Sequence, residues 1–154
     1  MDNGTVLIVD ADPSALGGMR DILESLGCRV VSVGSASEAT EVLKDYRWDA
    51  AFLDSGAGGG GGLDLLAQLR DRVPGLAVAL MSGVVSPTSL DVARRAGASG
   101  YLVKPFTARE VEDELIRALR ATDLARQRGR VVTAIGRVRS LGRHRERMEV
   151  QGRS

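Results

Sequence analysis

Five times along this chain a short apolar run rich in β-branched residues gives way to a stretch with helical spacing. That alternation constrains the fold more than any other feature, because strands and helices in strict turn imply a parallel sheet covered on both faces. Thr5–Val9 (T-V-L-I-V) reads as a strand buried on both sides. Pro13 with Asp12 as N-cap opens a helix in which Leu16, Met19, Leu23 and Leu26 recur, and Gly27 closes it. Residues 29–33 predict a second strand, 37–46 a second helix, 50–53 a third strand ending at Asp54, and 63–72 a third helix. Leu76–Met81 is a fourth strand ending at Ser82, and Ser86-Pro87 opens a fourth helix that closes at Gly97. Tyr101–Val103 is a short fifth strand before Lys104-Pro105. Thr107-Ala108-Arg109-Glu110 has the form of a capping box for a fifth helix carrying Val111, Leu115, Ile116 and Leu119. The expected fold class is α/β, a doubly wound five-stranded parallel sheet with flanking helices and a basic C-terminal extension.

Charge divides the chain of 154 residues in two. Residues 1–119 carry 11 Lys/Arg against 17 Asp/Glu, whereas residues 120–154 carry ten Arg against three acids. An acidic body (1–122) followed by a basic, Arg-rich extension (123–154), helical or disordered, is the expected domain organisation. With the single cysteine Cys28 no internal disulfide can form. The start, M-D-N-G-T, lacks the features of a secretory signal, and the run 76–81 is too short to span a bilayer. A cytoplasmic location is the expectation.

In open α/β sheets ligands bind beyond the carboxyl ends of the strands. Those ends here carry Asp10, Asp54, Ser82 and Lys104. Taken singly, each has an ordinary role: an Asp after a strand caps a helix, a lone lysine is solvated, and Ser82-Gly83 makes a turn. Together, two carboxylates, a hydroxyl and an ammonium on one edge can hold a hard cation and a phosphoryl group.

The motifs V-L-I-V-D-A-D-P, A-F-L-D-S, G-L-D-L-L, A-L-M-S-G and Y-L-V-K-P-F resemble, in order and spacing, the receiver domain of two-component response regulators. The resemblance runs from about Thr5 to Leu119 and implies a CheY-like, flavodoxin-like sheet of order 2-1-3-4-5. It implies that Asp54 is the phospho-acceptor, attacking a phosphohistidine to form an aspartyl phosphate. Such a chain catalyses its own modification rather than turning over a substrate. Lys104 would neutralise the phosphoryl oxygens, and Ser82 would bond the phosphoryl group and move with the switch residue Tyr101. The Lys104-Pro105 bond would be cis. Asp10, Asp54 and the Gly56 carbonyl would hold Mg²⁺, with Asp12 a further candidate if it gave up its cap. The implied partners are a sensor histidine kinase or histidine phosphotransfer protein, a downstream protein target, and a second copy through the helix 4–strand 5–helix 5 face. Nucleic acid and a membrane span are not expected.

Two departures stand out. Receivers of this type carry a second acid after the first, and here that position is Ala11, which cannot coordinate a metal and so weakens the Mg²⁺ site. An atypical receiver that acts by protein contact alone, without phosphorylation, is therefore the alternative. The second departure is the glycine run from Gly56 to Gly62, interrupted only by Ala57. It lacks the Lys-Ser/Thr pair of a phosphate-binding loop and reads instead as a soft rim beside Asp54. In the extension, Arg128-Gly129 is expected to end the fifth helix near Arg126. Val131, Ile135, Val138 and Leu141 recur at three to four residues. A solvated basic tail and a docking helix are both compatible with that pattern. His144 lies in the same charged run and is a poor metal ligand.

Overall fold

The computed structural model describes residues 3–56 and 62–151, with side chains through residue 140. Ala57 and Gly58 to Gly61, and with them most of the expected soft rim, lie outside the described residues, as do the side chains of Leu141 and His144. The elements are β1 (Thr5–Val9), α1 (Pro13–Ser25), β2 (Arg29–Val33), α2 (Ala36–Val42), β3 (Ala50–Asp54), α3 (Gly62–Arg72), β4 (Val78–Ser82), α4 (Pro87–Arg95), β5 (Gly100–Val103) and α5 (Ala108–Gln151). All strand pairings are parallel, in the order β2-β1-β3-β4-β5. The expected fold class is the one observed.

Side chains of successive strand residues leave opposite faces of a sheet, and this alternation builds two cores. Leu7, Val9 and Leu53 meet Ala39 of α2, Leu65, Leu66 and Leu69 of α3, and Ala93 of α4. Val6, Ile8 and Phe52 meet Met19 and Leu23 of α1 and Val111, Leu115 and Ala118 of α5 on the other face. That two-sided burial explains why Val6–Val9 is a continuous apolar run, with each residue fully excluded from solvent.

The boundaries differ from expectation where a side chain competes for the backbone. The second helix stops at Val42 instead of running to Tyr46, because the Trp48 indole donates to the Leu43 carbonyl at 2.9 Å and takes it from the helix. β4 begins at Val78, not Leu76, since the Ala77 amide donates to the Thr122 hydroxyl at 3.0 Å. At the far end β4 takes in Ser82. Gly27 adopts φ +85° after α1, the left-handed closure that glycine permits.

The expected break at Arg128-Gly129 does not occur: α5 is helical through Gly129 and Gly136 to Gln151. Glycine removes no backbone donor and lowers helix propensity by only about 1 kcal/mol, and the Thr133 hydroxyl donates to the Gly129 carbonyl at 2.9 Å. By compactness the chain comprises two units, Met1–Asp123 and Leu124–Ser154.

Candidate functional site

Four strand ends supply the site. Asp10 follows β1, with its amide donating to the Val33 carbonyl of β2 at 3.1 Å. Only 3% of Asp10 is exposed, an unusual position for a carboxylate unless it is paired. Asp54 closes β3, and Lys104 follows β5 with its amide donating to the Ser82 carbonyl at 2.8 Å. The Lys104-Pro105 bond is cis, as expected.

Lys104 joins the two acids. Its ammonium donates to Asp10 Oδ2 at 2.5 Å and to Asp54 Oδ1 at 2.9 Å. The second oxygen of each carboxylate also has a donor: the Asp12 amide donates to Asp10 Oδ1 at 3.0 Å, and the Gly56 amide to Asp54 Oδ2 at 3.1 Å. Two anions and one cation thus form a closed, charge-assisted network. Partial burial alone would pull the Lys104 pKa down. The hydrogen bonds and charges of Asp10 and Asp54 outweigh it and hold the pKa above its ordinary value of 10.5. The stability this network contributes is fully present below that value and is lost as pH rises through the raised one.

Ser82 and Tyr101 are engaged elsewhere. The Ser82 hydroxyl donates to the Val84 carbonyl at 3.0 Å and accepts from the Val84 amide at 3.1 Å. The Tyr101 hydroxyl donates to the same carbonyl at 3.4 Å. Asp12 is not in the cluster: its Oδ1 accepts from the Ser14 amide at 3.0 Å and caps α1.

One residue of the site escaped the sequence reading. Gly62, counted there with the soft rim, is the first residue of α3. Its amide donates to the Ser55 carbonyl at 2.8 Å. A Cβ at Gly62 would lie 2.8 Å from the Asp54 carbonyl oxygen and 3.0 Å from Ser55 Cα. Only glycine lets the helix start this close to the backbone that carries Asp54. The signal was a glycine immediately before the periodic run Leu63–Leu69.

Among the described residues no group of three or more His, Cys, Asp or Glu side chains converges as a metal site. The oxygen set of Asp10, Asp54 and the Gly56 carbonyl nevertheless suits Mg²⁺, which takes one or two carboxylates and keeps several waters. Ala11 adds nothing to it, and Asp12 is committed to its cap.

The match that decides the family spans residues 6–116: it is the response regulator receiver domain. The chain belongs to that family. AlgB of Pseudomonas putida, an alginate biosynthesis transcriptional regulatory protein, is 36% identical over 104 residues, covering 68% of this chain and 23% of that protein. The response regulator protein FleR of Pseudomonas aeruginosa is 36% identical over 112 residues, 73% of this chain and 24% of FleR. The receiver domain therefore spans about a quarter of the length of these relatives. Among solved structures, NtrX from Brucella abortus is 27% identical with a TM-score of 0.77, over 84% of this chain and 30% of that one. A CheY-like receiver domain from Methanospirillum hungatei is 25% identical with a TM-score of 0.71, over 77% of this chain and 95% of that one. As a receiver domain of two-component systems, the chain belongs to phosphorelay signalling. No helix among the described residues is long and apolar enough to cross a membrane.

Proposed function

We propose that this receiver domain accepts a phosphoryl group on Asp54 from a histidine kinase or histidine phosphotransfer protein and signals to a downstream protein by a conformational switch. The observation that carries this reading is the pair of salt bridges from Lys104 to Asp10 and Asp54. An Asp54 oxygen attacks phosphorus, the P–N bond to the donor histidine breaks, and the imidazole leaves with the bonding pair. Asp54 loses its own negative charge to the acyl phosphate, and Lys104, held at that spot, neutralises the phosphoryl oxygens. Asp10, Asp54 and the Gly56 carbonyl would hold Mg²⁺, which supplies further charge neutralisation when bound.

The same reading gives Ser82 and Tyr101 the response. For the Ser82 hydroxyl to reach the new phosphoryl group it must leave Val84, whose carbonyl it shares with the Tyr101 hydroxyl. A cavity of about 200 Å³ bordered by Leu90, Ala93, Gly100 and Tyr101 offers room for the ring to turn inward. Leu90, Val103 and Ile116, each about 40% exposed, are available to a partner or a second copy at the α4–β5–α5 face. We assign residues 1–122 to the receiver domain and 123–154 to a basic extension, and place the domain in the cytoplasm.

Ala11 supports a second reading, a receiver-like module that works by contact alone because its metal site is weakened. Titrating Mg²⁺ with and without beryllofluoride, a phosphoryl mimic, separates the two. Cooperative, tight binding of the pair, lost in Asp54→Asn, is expected for a phosphorylated receiver. Absence of beryllofluoride binding at saturating Mg²⁺ would favour the contact-only module.

A further inference from the structure

One surface takes no part in the chemistry at Asp54. Along α5, Leu124, Val131, Ile135 and Val138 fall within about 60° of one another on a 3.6-residue helix. They are 47%, 58%, 47% and 68% exposed. Arg128 and Arg139 border this stripe on one side, Arg130 and Arg137 lie about 110–130° from its centre on the other, and residues 124–140 contain no Asp or Glu. Gly129, Gly136 and Ser140 lie on the face away from the stripe, together with Arg126 and Arg137. Two glycines weaken the helix, so a segment of this composition gains most from a surface that covers its apolar side.

The arrangement selects among occupants. A second copy paired along the stripe would bring Arg128 and Arg139 of both chains beside one seam, where like charges oppose association. Nucleic acid would use the arginines but leave the aliphatic stripe without a role, and no aromatic residue is present for stacking. An anionic lipid surface uses both. The stripe enters the boundary between headgroups and acyl chains, while the guanidinium groups of Arg128 and Arg139 at its border, and of Arg130 and Arg137 further round, reach up to lipid phosphates on their aliphatic stems. We infer that residues 124–140 of α5 form a docking face for an anionic membrane surface. The helix would lie in the plane of the interface, and the inference stands whether or not Asp54 is phosphorylated.

The full chain should be centrifuged with vesicles of mixed phosphatidylglycerol and phosphatidylcholine, and with vesicles of phosphatidylcholine alone. Affinity for the mixed vesicles should exceed that for the neutral ones by at least about tenfold and weaken with added salt. The pairs Val131→Ser with Val138→Ser, and Arg130→Gln with Arg137→Gln, should each cost about tenfold in binding, with the melting of the receiver unit unchanged. Equal affinity for both vesicle types, no binding, or unaltered binding by either double variant would overturn the inference. So would a dimer in sedimentation that Val131→Ser with Val138→Ser dissociates, which would give the stripe to a second copy. Tighter binding to duplex DNA than to the mixed vesicles would likewise overturn it.

Discussion

Asp10, Asp54, Lys104 and Ser82 stand at carboxyl ends of the same sheet and Tyr101 lies within β5, yet the first three and the pair Ser82 and Tyr101 are held by different bonds. The first group is tied by charge-assisted contacts of 2.5 and 2.9 Å. The second is tied by neutral hydrogen bonds of 3.0 to 3.4 Å to the backbone of Val84. A neutral bond of this kind contributes about 1 kcal/mol net, and bonds to charged groups roughly twice that. The charged half is therefore the pre-organised part, suited to chemistry, and the neutral half is the part that rearranges at small cost. In the proposed reaction Asp54 exchanges its carboxylate charge for a more highly charged phosphoryl group at the centre of the rigid half, and the soft half responds.

Breaking the rigid half should have the largest effect. Lys104→Ala removes the cation shared by Asp10 and Asp54, and transfer to Asp54 should slow by about 10²- to 10³-fold, as when one transition-state donor is deleted. Single-turnover transfer from a phosphodonor measures this, and a rate within a few-fold of wild type would show that the bridge is only structural. Ala11→Asp enriches the same half with an acid. Mg²⁺ should bind on the order of tenfold more tightly by calorimetry, since charge count tunes affinity. Unchanged binding would mean that Asp12, leaving its cap, or another group already supplies the ligand.

Gly62→Ala probes how the rigid half is seated. The added methyl would meet the Asp54 carbonyl oxygen at 2.8 Å, and thermal unfolding should report a loss of about 1–3 kcal/mol. Full stability would show that α3 shifts without strain. The smallest chemical effect belongs to the soft half. Ser82→Ala should change the phosphorylation rate by only a few-fold, because one neutral donor is lost. The response of Tyr101 to beryllofluoride, followed by NMR of the ring, should disappear. A Tyr101 ring that still responds would uncouple the two residues.

The contrast between the halves also marks what the sequence could reveal. Asp10, Asp54 and Lys104 were legible because a charged residue directly after a buried apolar strand can only sit at the sheet edge, and three such edges converge once the strands are parallel. The resting partner of Ser82 was not legible, since a hydroxyl bonds equally well to a phosphoryl oxygen and to Val84 two residues away. Gly62 was hidden inside a glycine run in which nothing but the approach of α3 to Asp54 distinguishes one glycine from the next. Asp12 was readable as a cap from Pro13 beside it. The length of α5 was misjudged for an energetic reason: Gly129 is a weak helix residue, and a weak residue inside a favourable helix does not end it.

The direct test of the account is chemical trapping at Asp54. The protein is incubated with Mg²⁺ and a small phosphodonor, reduced with borohydride to convert an aspartyl phosphate to homoserine, and mapped by peptide mass. Homoserine is expected at position 54 alone, absent from Asp54→Asn and strongly diminished in Lys104→Ala. No conversion at position 54 in wild-type protein with saturating Mg²⁺ would contradict it, as would conversion at another acid in its place.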